Sequence, residues 1–441
     1  MSSSSTSLLL DTPYPDHFHR ETMPLWLSST AIALGHRPPD VTQPYTWCEL
    51  GCGGGMNTLT AAATNPMGRF FGIDIDIRQV ERARDLSRRA GINNVEFIAA
   101  DLANATHVIP TQCDFIVTHG VWAWVEATTR EGIQAFIHHH LKPGGLVYVS
   151  YMTHPGSSSL IALSKLMREF ARSAQGSSVQ RVTQALRFAR QLSGSGYFAE
   201  HPGIERQLEH LAAEDPAYLA HEFLADSWHP QHVADTLNAL AQADCGYLGS
   251  ATPLENIDTL SLPGKLHAQL RELAEAPTSL VETFKDIARH QSLRRDLYQK
   301  GDHALTTTAH QEALDSIAFT LLTEVPDSAT DLVFDTRIGP ITGSAKLFMP
   351  VLGELQAAPC RFSHLRRLTA YQQAPGLLNQ VLQTLLWAGY IHPIRPESAH
   401  ASATQLDNLL QTPGTIQGRH QWRLAPQMGT AIHLNHSHPE L

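Results

Sequence analysis

Residues Glu49-Leu50-Gly51-Cys52-Gly53-Gly54-Gly55 decide the fold, because they lie where an apolar strand ends and a helix begins. Trp47–Leu50 has the pattern of the end of a buried strand, and Met56–Ala63 has that of the first turns of a helix. The glycines between them let the backbone turn sharply and approach a ligand without Cβ atoms in the way. The stretch therefore predicts an α/β fold with a binding site where the strand ends.

Two carboxylates follow the glycine loop, each at the end of a further predicted strand. The strand Arg69–Asp74 ends on an acid, and an acid in this place can accept hydrogen bonds from two ribose hydroxyls. The third strand, Val95–Ala99, is followed by Asp101-Leu102, where a carboxylate can accept a hydrogen bond from an adenine amino group. The spacing therefore predicts that a nucleoside binds along this edge.

Two more strands complete the first part of the pattern. Asp114–Thr118 is the fourth, and a helix to about His140 leads through the turn Lys142-Pro143-Gly144-Gly145 to the strand Leu146–Tyr151. The order β-α-β-α-β-β-α-β, with polar groups at the carboxyl ends of strands, predicts a doubly wound, Rossmann-like parallel sheet. Such sheets bind ligands at their carboxyl edge.

The glycine loop, Asp74, Asp101 and the Lys-Pro-Gly-Gly turn together resemble the class I S-adenosylmethionine-dependent methyltransferases. The resemblance implies methyl transfer with S-adenosyl-L-methionine as cofactor. A nicotinamide dehydrogenase is the alternative for the loop alone, but its Gly-x-Gly-x-x-Gly spacing is absent because position 56 is Met. The predicted cofactor-binding residues are Tyr14, Glu49, Gly51, Cys52, Gly53, Asp74, Ile75, Asp101, Leu102 and His119.

The bulk composition excludes several classes of protein. Five cysteines, odd in number and without a Cys-x-x-Cys pair, predict neither a disulfide framework nor a zinc site, so we expect no metal. A formal net charge of −10 disfavours a nucleic-acid partner. The N-terminal serine run lacks the features of a signal peptide. Since no apolar run approaches the ~20 residues of a membrane span, we expect a cytoplasmic protein without one.

Beyond residue 157 the pattern changes to helices. Ser158–Ala174 and Ser178–Leu192 have helix-period apolar residues, and Cys245–Ala251 reads as a last strand of the first domain. Helices inserted between two strands of a catalytic sheet commonly cover the mouth of its site. The expected division is 1–40 as an N-terminal cap segment, 41–157 as the cofactor-binding domain, 158–230 as a helical lid insertion and 231–260 as the end of the catalytic domain.

The C-terminal third predicts a separate small module over 276–395. An apolar helix stripe from Leu377 to Leu386 and the following Tyr390–Pro393 suggest an α+β, winged-helix-like arrangement. Its basic residues are scattered, so packing or homodimerisation is favoured over DNA binding. The tail, 396–441, is rich in Gln, His, Thr and Pro with little periodicity, which predicts mainly loop.

The order of these segments narrows the resemblance, over about 14–395, to bacterial methyltransferases with a C-terminal "methyltransferase regulatory domain". The rickettsial outer-membrane-protein lysine methyltransferases belong to that group, which implies a protein N-methyltransferase acting on lysine. One departure leaves a small-molecule metabolite or natural product open as the acceptor. Where the group tends to have Tyr-Asn-Thr-x-Pro-Gly-Trp, Tyr151–Ser157 reads Tyr-Met-Thr-His-Pro-Gly-Ser. A non-catalytic donor-binding protein is the third class, disfavoured by the intact acids Glu49, Asp74 and Asp101.

Methyl transfer to lysine is a displacement that needs the neutral amine. With an ordinary pKa near 10.4, deprotonating the amine at pH 7 costs roughly 4 to 5 kcal/mol, which an apolar, aromatic mouth reduces by desolvation. We expect Trp122, Trp124 and Tyr151 to line that mouth, although core packing is an equal alternative for the two tryptophans. His119 or Glu126 would be the acceptor or base, and Tyr14 would fold over the donor.

Overall fold

The computed structural model describes residues 11–12, 14–196, 202–225, 227–327, 330–395, 401–418 and 421–434. The strands are β1 Tyr45–Leu50, β2 Gly68–Asp74, β3 Val95–Ala99, β4 Cys113–Thr118, β5 Leu141–Met152, β6 Cys245–Ser250, β7 Leu293–Lys300, β8 Ala318–Leu321, β9 Leu332–Thr336, β10 Gly339–Gly343, β11 Cys360–Arg361, β12 Ile391–Ile394, β13 Trp422–Ala425 and β14 Thr430–His433.

Helices connect these strands. They are α1 Pro24–Ala33, α2 Met56–Thr64, α3 Ile77–Arg89, α4 Ala127–His140, α5 Ser158–Ser173, α6 Ser178–Gly194, α7 Pro202–Leu211, α8 Pro216–Leu224, α9 Val233–Ala241, α10 Asp258–Ser261, α11 His267–Glu272, α12 Thr278–Arg289, α13 Thr307–Ser316, α14 Ala345–Ala357, α15 Phe362–Leu365, α16 Pro375–Trp387 and α17 Ala401–Leu410. None of the helices that the described residues form is long and apolar enough to cross a membrane.

The main sheet has seven strands in the order β3-β2-β1-β4-β5-β7-β6. Strands β1 to β5 run parallel to one another, whereas β7 is antiparallel to both β5 and β6. The strand order reverses between β1 and β4, and in open α/β sheets ligands bind at such a switch point. The prediction of a Rossmann-like sheet that binds at its carboxyl edge is confirmed for the fold.

The sheet continues beyond residue 260, where the sequence predicted the catalytic domain to end. Strand β7, which the sequence analysis assigned to the module over 276–395, inserts between β5 and β6. Its register pairs Tyr148 with Leu297 and Tyr151 with Arg294. Charged residues interrupt the apolar pattern of β7 because they bind one another inside the protein, which hid the strand from a reading of hydrophobicity.

The insertion between β5 and β6 forms four helices, α5 to α8, with a core of their own. Leu163 and Met167 of α5 pack with Val182 of α6 and Phe223 of α8, and all four are buried. The helices predicted over 158–174 and 178–192 are present. A separate core lets these helices keep their shape as a unit above the sheet. Their role as a lid remains a prediction.

The C-terminal region packs onto the sheet domain through α16. Leu378, Leu382 and Leu385 of the predicted apolar stripe are fully buried within the chain. Asn379 donates from Nδ2 to the carbonyl oxygen of Ala33 at 3.0 Å, at the end of α1. The stripe therefore faces this chain's own core, and homodimerisation remains a prediction that the stripe itself does not support.

The tail differs from the predicted loop, although parts of 396–441 lie outside the described residues. It forms α17 and the hairpin β13–β14, which pack against α2 and α3. Leu406 and Trp422 are buried, and Asn65 donates from Nδ2 to the carbonyl oxygen of Gly429 at 3.0 Å. Both elements are short, and their stability comes from burial against the main domain, so local periodicity was too weak to predict them.

Candidate active site

The glycine loop between β1 and α2 is packed against the protein at Gly51 and faces open space at Gly53. Gly51, Gly53 and Gly55 have φ angles of 79°, 51° and 77°, which favour glycine. A Cβ on Gly51 would lie 2.2 Å from Cγ2 of Val121, whereas a Cβ on Gly53 would have no atom within 4 Å. The backbone at Gly53 therefore faces open space beside the start of a helix, where a ligand can approach closely.

Asp74, at the end of β2, fixes the shape of this loop. Its Oδ2 accepts from the N–H of Gly53 at 2.8 Å, and its Oδ1 accepts from the N–H of Asp76 at 2.9 Å. Burial raises the pKa of the Asp74 carboxyl above its ordinary value. Each carboxylate oxygen has a second lone pair, so ribose hydroxyls can still be bound. Beside it Ile75 is 42% exposed and offers an apolar surface to a base.

Glu49 is buried and organises the start of α2. Its carboxylate accepts from Nδ2 of Asn57 at 2.8 Å and from Oγ1 of Thr58 at 2.5 Å. Burial raises its pKa to about 7, although these hydrogen bonds act in the opposite direction. Asn57 in turn accepts from the N–H of His19 at 2.8 Å. Glu49 thus connects the glycine loop to the N-terminal segment, and direct contact with the cofactor remains a prediction.

The remaining predicted cofactor residues lie around the same edge. Asp101 is exposed after β3 and caps the following turn by accepting from the N–H of Ala103 at 2.9 Å, while Leu102 is buried. Burial raises the pKa of the Cys52 thiol well above its usual range, so the thiol is neutral. The predicted contact of Cys52 with the cofactor would therefore be made by its main chain. The open loop, two acids and an apolar surface between them fit the cofactor predicted from the sequence.

His119 lies directly after β4 and is stacked on a histidine of the N-terminal segment. Its ring lies 3.6 Å from that of His19 with an interplanar angle of 16°. Nδ1 of His119 is 2.8 Å from the hydroxyl of Tyr148 on β5. Burial lowers the pKa of both histidines well below the usual range, so both rings are neutral at pH 7. His119 is therefore held at the edge as a neutral, oriented ring.

The N-terminal segment crosses the glycine loop. Asp16 accepts from Nη1 of Arg82 at 2.9 Å and from the N–H of Gln417 at 2.8 Å. A Cβ on Gly54 would lie 2.8 Å from Oδ1 of Asp16. Arg82 belongs to α3 and Gln417 to the tail, so both ends of the chain meet over the loop. Tyr14, which the sequence predicted to fold over the donor, lies two residues before Asp16. Its contact with the donor remains a prediction.

Helix α8 of the insertion completes a cluster of rings around a buried acid. The hydroxyl of Tyr14 donates to Oε1 of Glu222 at 3.3 Å, and its ring lies 6.1 Å from Tyr218 and 5.2 Å from His221. His17 links the cluster onward, since its ring lies 6.2 Å from that of His19. Glu222 is 9% exposed, and burial raises its pKa to about 8. We call Tyr14, His17, Tyr218, His221 and Glu222 the Tyr14–Glu222 cluster.

Two residues predicted to line the mouth do not do so. Trp122 and Tyr151 are each 1% exposed, and both lie in the core on one face of the sheet. The Tyr151 hydroxyl donates to Oδ2 of Asp296 at 2.7 Å. Alternation along β5 explains the difference, because Tyr148 and Tyr151 point to opposite faces and only Tyr148 reaches His119. Trp122 and Tyr151 are therefore core residues, whereas the Tyr14 ring, on the N-terminal segment that crosses the loop, is exposed.

Trp124 and Glu126 lie on the loop after β4, near the end of the insertion. The ring of Trp124 is half-buried and 5.8 Å from that of Trp228. Glu126 is exposed and accepts from the hydroxyl of Ser227. This contact ties the insertion to the edge of the sheet. It leaves Glu126 in water, where it is a weaker candidate for a base than the buried Glu222.

Sequence reasoning missed His19, Asp16 and Glu222. Glu222 lies within the predicted helical insertion, 158–230, but its acid was not singled out. An acid among apolar residues such as Leu219 and Phe223 is a signal for a buried carboxyl. The spacing of Tyr14, His17 and His19 carried no comparable signal, because only the folded chain shows that His19 meets His119.

No metal site was expected, and the described residues include one group of side chains that could hold a metal ion. Glu354, Cys360 and His364 in the C-terminal region each place one ligand atom within 4.8 Å of the others. Nε2 of His364 is 2.8 Å from Oε2 of Glu354. The group is partly exposed, and neighbouring Arg361 and Arg367 disfavour a cation. We assign it no role.

The Glu222 carboxyl makes a testable contribution to stability. Since its folded pKa of about 8 exceeds the ordinary 4.5, it stabilises the fold below pH 4.5 and loses this effect as pH rises through 8. We expect the free energy of unfolding of Glu222→Gln, relative to wild type, to rise by up to about 5 kcal/mol over this window. Urea unfolding at stepped pH measures it. Glu126→Gln is the exposed control, and parallel curves for Glu222→Gln and wild type would contradict the prediction.

Two family models match the chain. Residues 42–232 match the description "Methyltransferase domain", and residues 215–300 match "Predicted methyltransferase regulatory domain". The second range lies before most of 276–395, where the sequence analysis expected that domain. It includes α8, with Glu222, and both β6 and β7. The regulatory match thus covers part of the main sheet.

A curated relative and a solved structure are similar to the chain over most of its length. The chain is 28% identical over 437 residues to the uncharacterized protein sll1526 of Synechocystis, covering 97% of this chain and 85% of that protein. It superposes on the structure of PKMT2 from Rickettsia typhi with a TM-score of 0.73 and 20% identity, covering 96% of this chain and 87% of that one. The complex of PKMT2 with AdoHcy gives a TM-score of 0.68 and 21% identity, covering 87% and 78%.

Proposed function

Because the chain belongs to the S-adenosyl-L-methionine-dependent methyltransferases with a methyltransferase regulatory domain, we propose that its methyl acceptor is a lysine side chain of a protein. S-adenosyl-L-methionine is its methyl donor. When bound, the donor supplies a methyl group on a sulfonium, which is already activated. The protein therefore has to position the amine, remove its proton and exclude water.

The Tyr14–Glu222 cluster is the observation that supports this proposal. It places a buried carboxyl among aromatic rings, and Tyr14 belongs to the segment that crosses the glycine loop. Aromatic faces attract an ammonium group, and a carboxylate accepts its hydrogen bonds. The apolar stem of a lysine side chain suits the same surroundings. The cluster thus has the chemistry needed to hold an amine.

Glu222 also has a pKa suited to receiving the proton. A base works best when its pKa lies near the working pH, and burial raises that of Glu222 to about 8. The lysine ammonium would give its proton to the Glu222 carboxylate. The neutral nitrogen would then form a bond to the methyl carbon as the carbon–sulfur bond breaks. His119, neutral and oriented by Tyr148, would supply a hydrogen-bonding wall at the donor edge.

Two further observations bear on the choice between protein and small molecule. The net charge of −10 suits a basic, lysine-bearing protein. The departure at Met152–Ser157 left a metabolite open as the acceptor. In the structure Ser157 is fully buried and its hydroxyl donates to the carbonyl oxygen of Ser292 at 2.9 Å. This segment braces β7, so its changed residues are weak evidence about the acceptor.

Glu222→Gln should lower the rate of transfer about 100-fold, because a positioned base contributes typically 10²–10⁴-fold. Donor affinity should stay within a few fold of wild type. The wild-type rate should rise with pH and level off near pH 8 as Glu222 ionises, whereas the rate of the variant should go on rising above pH 8 as the lysine amine itself loses its proton. The measurement is label transfer from methyl-labelled donor into the protein fraction of a cell extract, at stepped pH.

Glu126→Gln, an exposed acid at the same edge, is the matched control and should keep the wild-type rate and pH profile. Wild-type transfer by Glu222→Gln would remove Glu222 from the mechanism. Label found only in the small-molecule fraction, for wild type as well, would instead overturn the protein acceptor.

A further inference from the structure

A partly open cavity is lined in part by Arg20 and Glu21 of the N-terminal segment. It has a volume of about 50 Å³ and lies between the sheet domain and the C-terminal region. Four arginines and two glutamates contribute to its wall: Arg20, Arg289, Arg295, Arg337, Glu21 and Glu255. None of these six residues was assigned a role by the sequence analysis or by the proposed mechanism.

The charges in this wall do not balance. Four guanidinium groups and two carboxylates give a formal charge of +2 (4 − 2). The two glutamates are ionised, because arginines hold the pKa of both carboxyls below the ordinary value against the opposing effect of burial. Burial lowers the pKa of Arg20 and Arg337, although the Arg337 side chain is partly exposed at the surface. A net positive charge around a cavity favours the binding of an anion.

The two glutamates are shared among the four arginines. Arg20 and Arg295 act on Glu21, which lies 3.6 Å from Arg20, and Arg289 and Arg337 act on Glu255. Glu255 also accepts from two neutral donors, Oγ of Ser250 and Nε2 of Gln291, each at 2.7 Å. Outside the wall, Asp286 acts on Arg289 and Arg337 as well. Each carboxylate of the wall thus serves two arginines.

Arg289 and Arg337 are left with unused donors. Arg289 is 6% exposed and donates from Nη1 to the carbonyl oxygen of Glu255 at 3.1 Å, while its Nε has no hydrogen-bond partner among the described residues. Arg337, on the turn between β9 and β10, donates from Nη1 to Oγ of Ser292 at 2.9 Å. In the part of the chain that the structure describes, neither arginine forms an ion pair with a carboxylate.

We propose that this cavity is a binding site for a small doubly charged oxyanion, of the class of inorganic phosphate or a short dicarboxylate. A charge of −2 neutralises the wall, and guanidinium groups bind such oxygens in pairs. A volume of about 50 Å³ holds roughly three to five waters at ~10–15 Å³ each, which suits a small oxyanion and excludes a nucleotide.

The position of the site gives the anion a structural consequence. Arg20 and Arg295 belong to the N-terminal segment and β7 of the sheet domain, whereas Arg337 and Trp387 belong to the C-terminal region. An oxyanion between them bridges the two parts of the chain. Arg20 directly follows His19, which stacks on His119. The bridge therefore also fixes the segment that shapes the proposed acceptor site.

Titration calorimetry with potassium phosphate and, separately, potassium malonate tests the proposal, at constant ionic strength set with potassium chloride. Wild type should bind at least one of the two anions saturably with a stoichiometry of one, and the stronger binder identifies the source of the oxyanion. Arg337→Gln should weaken that affinity about tenfold or more, since it removes one charged pair of donors. Arg361→Gln, an exposed arginine that lines no part of the cavity, should bind as wild type does.

Binding of S-adenosyl-L-methionine by Arg337→Gln reports that this variant is folded, because Arg337 lies outside the proposed active site. Absence of saturable binding of both anions to wild type would overturn the proposal. Equal affinity in wild type and Arg337→Gln would do so as well. Neither outcome depends on whether the methyl acceptor is lysine.

Discussion

Replacing Arg294 by Met is expected to lower the free energy of unfolding by about 3–5 kcal/mol, the usual cost of removing one partner from a buried charge network. Arg294 is 2% exposed. Its Nη1 is 2.5 Å from Oδ1 of Asp286, its Nε is 2.8 Å from Oδ1 of Asp296, and its Nη2 is 2.9 Å from Oε2 of Glu282. The variant leaves three buried carboxylates around an apolar side chain.

The pKa values of these acids show how much they depend on the arginine. Burial opposes ionisation of Glu282, yet Arg294 and Lys285 hold its pKa at about 2. Burial raises the pKa of Asp286 to about 7 even with Arg294 beside it. Without the guanidinium, both acids would be driven toward protonation. Because the network joins α12 to β7, its loss weakens the side of the seven-stranded sheet formed by β5, β7 and β6.

Urea unfolding followed by tryptophan fluorescence measures the effect. Arg88→Met is the matched control, since Arg88 is 74% exposed and pairs with Asp85 at 3.4 Å on the surface of α3. Its expected change is below about 0.5 kcal/mol. A loss of less than about 1 kcal/mol for Arg294→Met would show that the buried network is not a main support of the sheet.

Asp74→Ala should reduce the affinity for S-adenosyl-L-methionine at least about 100-fold. The substitution removes the acceptor proposed for the ribose hydroxyls, and hydrogen bonds to a charged group contribute about 1.5–3 kcal/mol each. It also releases the N–H groups of Gly53 and Asp76, which Asp74 holds at 2.8 and 2.9 Å. Calorimetry with the donor gives the dissociation constant, and circular dichroism shows that the fold is kept.

Asp76→Ala separates this effect from a general loss of charge at the same edge. Asp76 caps α3 by accepting from the N–H of Arg78 at 2.9 Å and pairs with the Arg78 guanidinium. Its removal should cost about 1 kcal/mol of stability and leave donor affinity within a few fold of wild type. An unchanged dissociation constant for Asp74→Ala would mean that the ribose is bound elsewhere.

Local sequence signals sufficed for the cofactor edge because its geometry is local. The glycine loop needs positive φ angles at Gly51, Gly53 and Gly55, and only glycine adopts them without strain. The acids after β2 and β3 then lie at the same edge because parallel strands end together. Fold class and cofactor followed from these few positions, whereas the individual cofactor contacts remain predictions.

The acceptor side could not be predicted in the same way, because it is assembled from distant segments. Tyr14 and Glu222 are 208 positions apart in sequence yet share a hydrogen bond. His19 and His119 meet only after the N-terminal segment is held over the loop by α3 and the tail. For Tyr151 the sequence position alone was misleading. The residue lies on the predicted strand as expected, but its side chain points to the face of the sheet where its hydroxyl donates to Asp296.

Strand β7 was missed for a related reason. Arg294 and Asp296 look like surface residues when read along the chain, and charged side chains are rarely buried unless they are paired. Their partners Glu282 and Asp286 lie on α12, so the pairing that permits burial is visible only in three dimensions. The same applies to α17 and the β13–β14 hairpin, which depend on the surface of α2 and α3.

Amino-acid analysis of the labelled product tests whether the methyl acceptor is a lysine of a protein. The purified enzyme is incubated with methyl-labelled S-adenosyl-L-methionine and extract of its own cell, and the protein fraction is hydrolysed to amino acids. Asp74→Ala serves as the donor-binding control and should give no label. We expect the label to elute as methylated lysine. Label in another amino acid, or only in small molecules, would contradict it.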